Sequence, residues 1–205
     1  MTIAVDARTA GGEGFGTSRT VSHTCTGASL LLVFLGFGQG VGATGVGITY
    51  NGVALTQAIY VPASLGYWDG YIFYLTNPAA GAHNVVASWT NSVPYHLEIE
   101  SLQGTDLTNP IRATDGQEYF GAGPFTKTLA SSATDYVFSG NSGQGDASIS
   151  APLTKYLDQA ESEIGDGPAA GGTVSVTWTP GYAFRGVFAA TTIKAALPAR
   201  NIIMF

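Results

Sequence analysis

The sequence predicts an all-β protein, an antiparallel two-sheet sandwich of jelly-roll type, and three observations carry that expectation. Val46–Tyr50 and Val53–Val61 flank Asn51-Gly52, the dipeptide that supplies positive φ at both central positions of a type I′ hairpin turn. Short runs rich in Val, Ile, Tyr, Phe and Thr recur along the chain between Gly, Pro and Asn punctuation. Only Pro152–Ile164 has any helical character, so a short helix or irregular loop is expected there and no other helix.

The elements follow in order. Thr2–Arg8 reads as a first strand, Gly11–Gly16 as a flexible glycine loop and Arg19–Thr26 as a second strand. Ser29–Phe37 is apolar at almost every position, which predicts a third strand, buried on both faces. The Asn-Gly hairpin comes next, then Tyr71–Leu75, which stops at Asn77-Pro78 because proline removes a ladder donor. Gly81 turns the chain into Asn84–Trp89, so a four-strand meander is expected from Val46 to Trp89. Tyr95–Leu102 alternates Leu97 and Ile99 with His96, Glu98 and Glu100, the pattern of a half-buried strand with its acids in water. Phe125–Leu129, Asp135–Ser139, Val174–Trp178 and Tyr182–Lys194 supply four further strands. Leu31, Val33, Leu35, Ile72, Tyr74, Val86, Ile99, Val137 and Val176 are the expected core. Residues 1–196 are read as one sandwich domain, followed by an apolar tail over 197–205.

Composition excludes several classes. Charged residues make up 11% of the chain, against about 25% in ordinary soluble domains. The balance is acidic, −6, and the eight basic residues are scattered. Nucleic-acid binding needs a basic stripe, so none is expected. No apolar run reaches the ~18–20 residues of a membrane-spanning helix, and Met1–Asp6 lacks the basic start and apolar segment of an export signal. Synthesis in a cytoplasm without Sec export is therefore expected. Cys25 is alone, which excludes an intrachain disulfide. It reads as a small buried hydrophobe.

Candidate chemistry is sparse. His23, His83 and His96 share no ligand spacing and read as surface histidines. Gly12, Gly14 and Gly16 lack the Lys-Ser/Thr of a phosphate loop. Glu98 and Glu100, about 6.5–7 Å apart at strand spacing, share one face as a glycosidase pair might require, but read as solvent-facing. The acidic run Asp158–Gly167 lacks the spacing of a calcium loop and reads as a solvated charge run. Tyr67, Trp68, Asp69 and Tyr71 form the one ligand-binding candidate, aromatic faces beside an acid that suit a sugar ring. The structural alternative, favoured here, is that Trp68 caps the core. No catalytic residue, metal ligand or cofactor is assigned.

From Ser29 to Ala195 the order of motifs resembles a jelly-roll-like β-sandwich family found in phage virion proteins and bacterial surface proteins. The motifs are Leu30–Leu35, the Thr49–Thr56 hairpin, Tyr74–Pro78, Gly81–Trp89, Ser101–Ile111 and Val174–Trp178. The resemblance implies a non-enzymatic virion structural protein, a capsid decoration protein first. A tail or fibre component, or a carbohydrate-binding receptor module, is the alternative. Its partners would be other virion proteins and further copies of itself, with a trimer as the preferred form. Ile202, Ile203, Met204 and Phe205 are the expected subunit contacts, because chain ends are normally polar and mobile.

Overall fold

The structure, a computed structural model, describes residues 2–38, 43–64, 68–143, 146–159, 162–181 and 184–197. Among them there is no helix. The strands are β1 (Ala4–Cys25), β2 (Leu30–Phe37), β3 (Gly47–Tyr50), β4 (Val53–Ala54), β5 (Thr56–Val61), β6 (Asp69–Thr76), β7 (Gly81–Gln103) and β8 (Ile111–Gly121). They continue as β9 (Phe125–Ser131), β10 (Tyr136–Gly143), β11 (Ala147–Ile149), β12 (Thr154–Gln159), β13 (Ser162–Pro168), β14 (Gly172–Pro180) and β15 (Phe184–Ile193). All pairings are antiparallel, and the sheets pack as a jelly-roll-like sandwich.

The first sheet runs β4-β3-β7-β2-β6-β5, with β1 along the far edge of β7. β7 meets β3 over Val85–Ser88 and β2 over Tyr95–Leu102, so one strand serves two halves of the sheet. The β1–β7 ribbon bends where the register slips, at Val5/Ala7, Ala10/Gly12 and Gly16/Ser18. Gly12 holds φ at 80°, and a Cβ on Gly11 would meet the Leu97 carbonyl oxygen at 2.4 Å. These glycines are required by the bend. The halves then face each other: Thr9 Oγ1 lies 2.8 Å from His23 Nδ1, and Asp6 accepts the Thr26 N–H at 2.9 Å. Leu31, Val33, Leu35, Ile48, Tyr50, Val85, Leu97 and Ile99 fill the space enclosed.

The second sheet, β12-β13-β10-β15-β8, covers the other face of β2. Leu30, Leu32, Phe34 and Ile72 pack there against Phe138, Ile164, Val187 and Ala189. The apolar run of β2 thus serves two cores. A third, smaller sheet, β11-β14-β9, packs Leu129, Val174, Val176 and Trp178 against Val137, Phe188 and Ala190.

Several expectations are corrected. The Asn51-Gly52 turn is present, with φ of 49° and 78°, but the meander is not: β2 lies between β6 and β7. Val53–Val61 breaks at Leu55, which is buried and whose N–H donates to Ile48 at 2.9 Å. The first two strands and their glycine loop are one bent strand, β1. The described residues of Pro152–Ile164 hold no helix; Thr154–Gln159 pairs antiparallel with Ser162–Pro168. Seven of the expected core residues, Leu31, Val33, Leu35, Ile72, Ile99, Val137 and Val176, have no exposed surface, while Tyr74 and Val86 are partly exposed.

The contact between the first two sheets is close enough to test. A Cβ on Gly140 would stand 2.2 Å from the Phe34 ring. Gly140→Ala should therefore destabilise the fold by about 1–3 kcal/mol, the usual cost of overpacking, read as a lower urea midpoint. An unchanged midpoint would contradict this packing.

Candidate functional site

Of the four recognition candidates, Tyr67 lies outside the described residues and the other three are interior. Trp68 is 3% exposed and stacks on His96, with ring centroids 6.3 Å apart. It caps the core. Asp69 accepts the Ala63 N–H at 3.0 Å, and burial, with a smaller contribution from Glu118, raises its pKa. Tyr71 packs edge-on to Phe37 and stacks at 4.4 Å on Tyr60, its cross-strand partner. Tyr60 alone of this group reaches the surface, at 40% exposure. Its place opposite Tyr71 follows from the β5–β6 register, which the sequence leaves open.

The strongest concentration of ionisable groups lies elsewhere, at the seam between the first and second sheets. His96, Glu98 and Glu100 occupy alternate positions of β7 and are 2%, 0% and 0% exposed. The expectation that they face water is overturned because the second sheet covers the polar face of β7. Arg8 reaches the seam from β1, its Nε donating to Glu100 Oε2 at 2.9 Å and its Nη2 to Asp166 Oδ2. The Tyr136 hydroxyl donates to the same Asp166 oxygen. Burial, reinforced by Asp166, pushes Glu100 well above the usual carboxyl range, against the pull of Arg8. Glu98 is pushed up to about 8 by burial, only partly offset by the Gly11 N–H. Burial lowers His96 to about 4.

A second buried acid ties the other seam. Glu163 accepts from Asn141 Nδ2 at 2.7 Å and from the Ala147 N–H at 2.8 Å, and burial raises it to about 7. Asn141 in turn accepts the Tyr119 hydroxyl at 3.0 Å. The expectation that Glu163 and Asp166 belong to a solvated run is overturned. They are interior instead, because β13 is a covered strand rather than a loop.

His23, expected at the surface, is 1% exposed. Thr9, His23, Ser101 and Asp6 form a hydrogen-bonded chain: His23 Nε2 lies 3.1 Å from Ser101 Oγ, and Ser101 Oγ donates to Asp6 at 3.1 Å. The residue types suit nucleophilic catalysis, but the order does not. In a triad the acid orients the base; here Thr9 holds the imidazole and Asp6 binds the serine. The chain ties the folded-over halves of the ribbon together. Cys25, 1% exposed, sits in the adjoining core as expected.

Among the described residues no group of three or more His, Cys, Asp or Glu is placed to hold a metal ion. The expected subunit contacts Ile202, Ile203, Met204 and Phe205 lie outside the described residues. Leu197, the last described residue, is 84% exposed, and Leu107 is 46% exposed. These two, with Thr105, Asp106, Thr108 and Ala196, line a groove.

No protein-family model matches the chain, and no curated protein matches it. Two solved structures of Bacillus subtilis oxalate decarboxylase align with it at 8% identity and TM-scores of 0.19 and 0.21. The alignments cover 90% and 97% of this chain and 70% and 78% of those. Likeness of that degree carries no argument.

Proposed function

We propose that the chain is a non-enzymatic structural protein of a phage particle, a capsid decoration protein that assembles on the particle surface as a homo-oligomer. The observation that carries this reading is an exposed apolar groove beside the last described residues. It contains Leu107 and Leu197, and the sequence that follows carries Ile202, Ile203, Met204 and Phe205. Exposed apolar side chains grouped in this way suit a contact with another chain. The interior acids support the same reading, since Glu100, Asp166 and Glu163 are engaged by Arg8, Tyr136, Asn141 and the Ala147 N–H as ties between sheets. The resemblance noted over Ser29–Ala195 supplies the virion setting. The sugar-binding alternative is weaker, because the rings of Trp68 and Tyr71 are covered by protein.

Deleting residues 201–205 tests the proposal. The shortened chain should fold with an unchanged circular-dichroism spectrum and no longer co-purify with particles, whereas the full chain should appear on them at a copy number matching a capsid lattice. A low copy number would point to a tail or fibre. A deletion that unfolds the domain or leaves association intact would sink the decoration reading.

A further inference from the structure

We propose that the outer edge of β1 over Ser18–Cys25 pairs with the same edge of a second copy, so that one antiparallel sheet runs through a twofold dimer. β1 meets β7 along one edge from Ala4 to Cys25, and among the described residues no strand pairs with its other edge. An unpaired edge presents a row of backbone N–H and C=O groups to any extended partner.

The two halves of this edge differ. The N-terminal half is broken by bulges at Val5/Ala7 and Ala10/Gly12, which twist an edge away from partners. Ser18–Cys25 has none, running in unbroken register against Ser88–Gly81. It contains no proline, lysine or acid, the residues that commonly guard an edge. Its one charge, Arg19, is turned back, with Nε donating to the Gly11 carbonyl at 2.8 Å. Ser18, Thr20, Ser22 and Thr24 face outward, while His23 and Cys25 are buried in the fold.

The residues select a second copy as the occupant. In an antiparallel pair, residues directly opposite each other share a face. Self-pairing must therefore match positions of equal parity, and the axis passes through Val21 or Ser22. Through Val21, Ser18 faces Thr24 and Thr20 faces Ser22. Through Ser22, Thr20 faces Thr24 and Ser22 faces itself. Either register lays Ser and Thr against Ser and Thr, pairs that hydrogen-bond across strands. Arg19 would meet His23 or Cys25, never a second arginine, and burial lowers the His23 pKa and favours its neutral form. Phe15, 71% exposed at the bend just before this segment, would lie near positions 27 to 29 of the second copy and gain apolar cover.

The inference goes beyond the virion reading and does not rest on it, because a twofold edge contact suits other roles equally. It also replaces the trimer that the resemblance implies. The test is molecular mass by light scattering on the purified full chain, on T20K/S22K/T24K, on T20E/S22E/T24E, and on a chain ending at residue 197. The wild type and the shortened chain should be dimers. Each triple variant should be monomeric, with its thermal midpoint close to that of the wild type at concentrations where the wild type dissociates, and an equimolar mixture of the two should recover the dimer. A monomeric or trimeric wild type, a lysine variant that stays dimeric, or loss of the dimer on removing residues 198–205 would each overturn it. If the triple variants unfold, the restored mass of the mixture decides, and its absence counts against the pairing.

Discussion

Arg8→Met is expected to destabilise the protein by about 2–3 kcal/mol at pH 8, and by clearly less at pH 5. Removing one partner of a fully buried ion pair costs about 3–5 kcal/mol, because the remaining charge is left in the interior. The Arg8 side chain is 35% exposed, so water screens part of its interaction and the lower figure applies. What remains is two acids, Glu100 and Asp166, at the seam of two sheets with only Tyr136 as a described donor. At pH 5 the raised Glu100 keeps its proton in the variant, so this carboxyl adds no uncompensated charge to the interior. At pH 8 a proton must be held or a charge buried, and both cost free energy. The triple variant Arg8→Met, Glu100→Gln, Asp166→Asn should recover much of the loss, since neutral groups of similar volume commonly match a buried ion pair. Urea unfolding at the two pH values is the measurement. A loss below about 0.5 kcal/mol at both, the size typical of surface substitutions, would mean that the seam does not depend on Arg8.

The fold was legible where signals were local. Asn51-Gly52 specified its turn through positive φ, and the unbroken apolar run of β2 specified a strand covered on both sides. What could not be read was which strand lies beside which. β2 slips between β6 and β7 through pairings of residues distant in sequence, from Phe37 with Asp69 to Leu30 with Leu102, and no local pattern encodes that. The same cause hid the seam. The alternation of Leu97 and Ile99 with His96, Glu98 and Glu100 has the period of a strand with one wet face, and only the C-terminal half of the chain decides that the face is dry. The acidic run Asp158–Gly167 misled for a different reason: its charges suggested a solvated run, whereas Glu163 and Asp166 turn inward to Asn141 and Arg8. The glycines of residues 11–16 pointed to flexibility, and they serve instead to let a paired ribbon fold over itself.

Stability should fall as pH rises from 6.5 to 8, and Glu98→Gln should flatten that fall. The sign follows from proton counts. Glu98 has an ordinary value of 4.5 and a folded value of about 8. Between those limits the native state holds a proton that the unfolded chain has released, so raising the pH favours unfolding. Below the unfolded value both states are protonated, and above about 8 both are ionised and the full penalty stands. Glu163, raised to about 7, acts in the same direction over a narrower window. His96 acts oppositely: its folded value of about 4 lies below the ordinary 6.5, so its neutral form favours folding above 6.5 and that contribution is lost as pH drops toward 4. Between pH 6.5 and 8 His96 opposes the carboxyls only at the lower end, where the unfolded imidazole still carries part of a proton. At about 1.4 kcal/mol per group per pH unit, Glu98 alone accounts for roughly 2 kcal/mol across that interval. Glutamine keeps the shape and the acceptor for the Gly11 N–H but has no proton to lose. The variant should match the wild type near pH 5 and exceed it at pH 8, with the crossover visible in urea midpoints taken at half-unit steps. Parallel profiles for the two proteins, or a wild type that gains stability from pH 6.5 to 8, would show that Glu98 does not carry a buried proton.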